Sequence, residues 1–221
     1  MCSLPGKQPA NIRDTLFGDL PFSEWPNASV QTTNEPWTSF AAARACLKSG
    51  DKFRTIQLLQ QILGMPALES RHYLQAWHFL RELGLQPGPK VAKYVYGVMV
   101  EVSLEQGLDI VAAYADHSAR YFNYSGAAVI WEAPDHTLDA QIDELLGTAK
   151  DIVDQIGPWG KARPPAPARG HARINILTPS GLHFGEGPFN KLAADGLGGP
   201  VIETSTHLML SLMAMSEQKK A

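Results

Sequence analysis

The run Gln86-Pro87-Gly88-Pro89 divides the chain into two parts with different hydrophobic periods, and this change limits the folds open to it. Proline lacks a backbone N–H and restricts the residue before it, so no helix or central strand passes through such a run. Before it, apolar residues recur every three or four positions; after it they alternate, as a half-buried strand requires. The sequence therefore predicts an α+β protein with an N-terminal helical region and a following antiparallel sheet that carries helices on one side.

The expected organisation has three parts. Residues 1–36, with five prolines, form an extended arm, and the apolar knot Leu16 to Trp25 staples it to the body or docks on another protein. Residues 37–88 form three helices, the first from Trp37 to about Lys48 and the second from Phe53 to Leu63. Gly50 can take the left-handed turn between them, and Asp51 can cap the second by accepting its free N–H groups. The third runs from about Ser70 to Leu83 with Tyr73, Leu74, Trp77, Leu80 and Leu83 on one stripe, and Gly84 ends it.

Residues 89–221 form the sheet domain. Tyr94 to Val102, Leu108 to Ala115, Ala119 to Tyr124 and Ala127 to Glu132 make a four-stranded meander. A helix from about Thr137 to Ile156 follows, then a proline-rich connector over 157–170. Ala172 to Leu177 and Leu182 to Phe184 add two strands, and a helix from Val201 to Met215 closes the chain.

Two resemblances follow from these residues. The stretch LKSGDKFRTIQLLQQILGMP, Leu47 to Pro66, resembles the turn and second helix of a tetratricopeptide repeat, which implies a protein-contact surface. It departs from that pattern at Ser39 or Trp37 and at Thr55, and no second copy follows at the 34-residue period. The element order of the second part is loosely similar to roadblock-type and profilin-like domains, which implies a sensor or adaptor.

Composition narrows the function. With 19 basic against 22 acidic residues the formal charge is -3, so no long-range field draws the chain to a phosphate backbone and nucleic acid is not an expected partner. No apolar run is long enough to span a bilayer, so no membrane is expected either. Cys2 and Cys46 are the only thiols, which points to a reducing compartment and the cytoplasm.

No phosphate-binding loop, nucleophile elbow or metalloprotease motif is present, and no cofactor is called for. The expectation is a non-catalytic interaction, adaptor or regulatory protein with a protein partner, a second copy of itself, or both. Leu208, Met209, Leu212, Met213 and Met215 offer a methionine-rich face for a homodimer. The alternative is a small-molecule enzyme or ligand sensor using the turns at 116–124 and the glycine-rich loop 180–187. Its candidate ligand-binding residues are Asp116, His117, Tyr121, Asn123, Tyr124, His183 and Glu186, with Glu203 and His207, one helical turn apart, as metal candidates.

Overall fold

The computed structural model describes residues 12–25 and 33–218; Cys2 and the rest of the arm lie outside them. The arm enters through a short helix, α1 (Ile12–Leu16). Helices α2 (Trp37–Lys48) and α3 (Lys52–Leu63) then form an antiparallel hairpin, followed by α4 (Ser70–Glu82). At the hairpin turn Gly50 sits at φ 84°, in the left-handed region where a Cβ is disfavoured. The Asp51 carboxylate accepts from the Arg54 N–H at 2.9 Å. Both features match the sequence expectation. Asp51→Ala should cost about 1 kcal/mol, read as a lower urea midpoint with an unchanged slope.

After a short helix, α5 (Pro89–Ala92), the chain lays down β1 (Gly97–Ser103), β2 (Leu108–Tyr114), β3 (Ala119–Phe122) and β4 (Ala128–Trp131). Then come α6 (Asp139–Gln155), the hairpin of β5 (His171–Thr178) and β6 (Gly181–Pro188), the short α7 (Phe189–Ala193) and α8 (Gly198–Gln218). The six strands form one sheet in the order β4-β3-β2-β1-β5-β6, antiparallel throughout. The glycine-rich piece is thus a strand, with its backbone paired to β5 along its length.

Alternation gives the sheet two faces. Val98, Val100, Val111, Ala113, Ile174 and Ile176 point to α6 and α8, which cover them with Leu138, Ile142, Leu145, Val201, Leu208 and Leu212. Met99, Ile110, Ala112, Tyr114 and Leu177 point the other way, where Leu16 and Phe17 of the arm and Leu74 of α4 meet them. A third cluster fills the helical region around Phe40, Leu59, Ile62, Phe79 and Leu80. Helix α4 belongs to two clusters, with Leu74 toward the sheet and Phe79 and Leu80 toward the hairpin, so apolar packing is continuous across residue 88.

The arm is stapled as its apolar knot suggests. Leu16 is fully buried, Phe22 stacks on Phe79 with ring centroids 3.7 Å apart, and Trp25 meets Phe40 edge-on. The face proposed for a homodimer is largely used within the chain. Leu208 and Leu212 are buried in the core and Met209 and Met215 pack against it, because α8 needs that stripe to cover the sheet. No described helix is long and apolar enough to cross a membrane.

Candidate functional site

A cleft of about 1,090 Å³ opens on the face of the sheet that the arm covers. Four separated segments wall it: the arm with Asp14, Phe17 and Asp19, the end of α4 with His78 and Arg81, the connector from Pro158 to Pro165, and the β5–β6 turn with Thr178, Ser180 and Gly181. The connector explains how they converge. Residues in extended proline-rich backbone make no hydrogen bonds among themselves, so their carbonyls are free to accept from side chains. Pro164 O accepts from Arg13 at 3.1 Å and Pro165 O from Arg173 at 2.6 Å.

Beneath the arm the strands carry a buried ionic network. Glu101 of β1 has no exposed surface, and its carboxylate receives Arg13 Nε at 2.5 Å and Asn175 Nδ2 at 3.0 Å. Arg173 lies 3.7 Å from the same carboxylate and also pairs with Glu186. At the cleft itself Arg163 binds Asp14 at 2.7 Å and Asp19 at 2.8 Å, and its guanidinium rests on the Phe17 ring at 4.3 Å. Burial pushes the Asp19 carboxyl up, and Arg163 works against that.

Arg81 stands apart from these pairs. Its Nη1 donates to Pro179 O at 2.6 Å, and among the described residues no carboxylate lies within 4.0 Å of its guanidinium. Burial brings it down to about 10, while Glu82 and Asp19 oppose that shift, so it stays charged at neutral pH. Trp159, 40% exposed, meets Phe184 edge-on and has the Lys161 ammonium over its ring.

The turn beside Arg81 holds a chain of hydroxyls. Thr178 Oγ1 lies 2.8 Å from Ser180 Oγ, which lies 3.2 Å from His183 Nε2. Burial holds the His183 imidazole below its usual range, the neutral form able to accept a proton from serine. No carboxylate among the described residues orients the ring, and Thr178 Oγ1 also donates to Gly181 O, so the chain serves first to lock the turn.

Burial lowers His72, His78 and His183 alike from 6.5. A histidine held neutral in the fold takes up its proton on unfolding, so the unfolded chain binds more protons and stability falls as pH drops through about 6.5. Urea midpoints between pH 7.5 and 6 should therefore decrease on acidification, and His183→Gln should flatten that slope. An unchanged slope in the variant would count against burial of the neutral ring.

The residues expected from sequence do not assemble into one site. Asp116 and His117 lie in the β2–β3 turn, at the same end of the sheet as the β5–β6 turn but about three strand spacings, or ~14 Å, away. His117 also faces α6: it sits 3.1 Å from Asp143 near the start of that helix, while His183 lies beside Ile156 at its end, ~20 Å further along. Asp116 has a structural task, since its carboxylate accepts from Ser70 N at 2.6 Å and so caps α4 from the sheet.

Tyr121, Asn123 and Tyr124 sit at the opposite end of the sheet. Tyr121 Oη donates to Asp109 at 2.9 Å, Tyr124 N donates to the same carboxylate, and Asn123 Oδ1 accepts from Ser125 and Ala127 within its own turn. Glu186 and His183 point to opposite faces of β6, the first toward Arg173 and the second on the Ile176 side. Glu203 and His207 are exposed on α8, and among the described residues no three His, Cys, Asp or Glu side chains converge as a metal site would need.

Sequence reasoning passed over Arg13, Arg81, Glu101, Arg163 and Arg173. The available signal was the alternation itself: Glu101, Arg173 and Asn175 occupy one face of two central strands, where a polar row is usually taken as the wet side. Comparison of the chain with protein families, with curated proteins and with solved structures found no match.

Proposed function

We propose that the protein is a non-catalytic regulatory module that works by binding a ligand in the cleft between the arm, α4, the connector and the β5–β6 turn. One observation carries this reading: four segments distant in sequence converge on a single open volume large enough for a metabolite, walled by apolar rings and by charged groups held in place. The wall is preorganised, because Arg163 and Arg13 are tied to carboxylates and the connector is fixed by their bonds. The hydroxyl chain at Thr178, Ser180 and His183 has no orienting acid, which favours binding over acyl transfer.

The test is a thermal-shift screen against metabolite-sized compounds, with native mass spectrometry of the purified chain to find a retained one. A compound present at 100 times its Kd should stabilise the protein by about 2.7 kcal/mol, a rise in Tm of roughly 5–10 °C for a chain of this size. Ala162→Trp, which fills the cleft from the exposed connector, should abolish the shift. A screen without a hit, or hits that Ala162→Trp leaves intact, would remove the cleft as the working site.

A further inference from the structure

We infer that the ligand of this cleft carries an anion that presents two oxygens side by side, a carboxylate or a phosphate monoester, anchored by the Nε and Nη2 edge of Arg81, with its apolar body toward Trp159 and Leu182. The inference rests on the cleft reading above and adds the chemical class of the ligand.

Most charges that line the cleft are paired. Arg13 is matched by Glu101, Arg163 by Asp14 and Asp19, and Glu82 lies 3.4 Å from His78. Among the described residues, Arg81 and Lys161 are the cations lining the cleft with no carboxylate within 4.0 Å. Lys161 lies over the Trp159 ring. Arg81 is the more telling of the two, since it comes from a helix and is half-buried, where an unmatched guanidinium is costly.

Its orientation is set by the turn opposite. The bond from Nη1 to Pro179 O fixes one edge of the guanidinium, and among the described residues Nε and Nη2 make no hydrogen bond. These two nitrogens form the fork that receives a carboxylate or phosphate through two parallel bonds. Gly181 keeps the fork accessible. A Cβ at this position would stand 3.8 Å from Arg81 Nε and 3.7 Å from Pro158, narrowing the approach, and the residue's φ of 127° disfavours any side chain. Thr178 and Ser180 lie on the same wall with their hydroxyl protons committed within the turn, so the free donors there are those of Arg81. Phe17, Leu74, Trp159, Leu177 and Leu182 supply the apolar remainder, so the fitting ligand is an acid with an aromatic or alkyl body rather than a bare ion.

Isothermal titration with three probes of one shape tests this: phenylacetate, phenyl phosphate and the uncharged phenylacetamide. At least one of the two anions should bind the wild-type chain, and whichever binds more tightly names the acid; phenylacetamide should bind at least tenfold more weakly. Arg81→Gln should weaken the anion roughly tenfold to a hundredfold, and Arg81→Lys, which keeps the charge but not the fork, should fall between. Circular dichroism melts of both variants establish that they are folded.

Failure of all three probes to bind, equal binding of amide and anions, or a folded Arg81→Gln that binds anions as the wild type does would overturn the inference. If phenylacetamide binds as tightly as the anions and Ala162→Trp blocks it, the cleft reading stands and only the anion falls. If an anion binds but neither Arg81→Gln nor Ala162→Trp affects it, both fall.

Discussion

Glu101→Ala is expected to lower stability by about 3–5 kcal/mol, the cost of leaving buried charge without its counter-ion. The carboxylate is fully buried between Arg13, Arg173 and Asn175, so its removal strips two guanidinium groups of a shared partner where water cannot replace it. Arg173 keeps Glu186 and the Pro165 carbonyl, which places most of the loss on the arm side. Urea denaturation gives the magnitude. The double variant Arg13→Met/Glu101→Leu should be more stable than Glu101→Ala alone, since replacing both members of a buried pair by apolar groups leaves neither charge stranded. A loss below about 1 kcal/mol for Glu101→Ala would mean that the network is solvated and not closed by the arm.

Phe79→Ala should cost a similar amount, about 3–5 kcal/mol, for a different reason. Its ring is buried, stacks on Phe22 at 3.7 Å and meets Phe40 edge-on at 6.2 Å, so truncation opens a cavity at the point where the arm joins the hairpin. Residues 22–25 should then detach before the rest of the fold. Limited chymotryptic digestion under native conditions should show faster cleavage at Phe22 in the variant than in the wild type. Equal cleavage rates would show that the arm is held without this stack.

The elements were legible because their signals are local. Asp51 after Gly50 marks a helix start, Gln86 to Pro89 marks a break, and Val98, Val100 and Val102 mark a strand with one apolar face. The site was less legible because its parts come from residues far apart in the chain. Nothing near Arg13 announces that Glu101 is its partner, and the connector looked like a spacer although its carbonyls hold two arginines. The converse holds at Asp116 and Asn123. Polar residues in turns suggested chemistry, whereas Asp116 caps α4 and Asn123 closes its own loop, tasks for which tight turns select the same side chains.

The bonds from Arg13 to Pro164 and from Arg163 to Asp14 join segments 151 and 149 positions apart. On a ribosome adding about 5–20 residues per second, the arm leaves the exit tunnel on the order of 10–30 s before the connector that fastens it. During that interval Leu16 and Phe17 have no finished sheet to cover and β5, with its two polar partners for Glu101, does not yet exist. The helical region, whose contacts are local, can form at once and take up Phe22 and Trp25, while docking of Leu16 and Phe17 on the sheet belongs to a late stage of biogenesis. Shielding of the nascent arm by a chaperone would therefore act on Leu16 and Phe17 and end when the connector emerges.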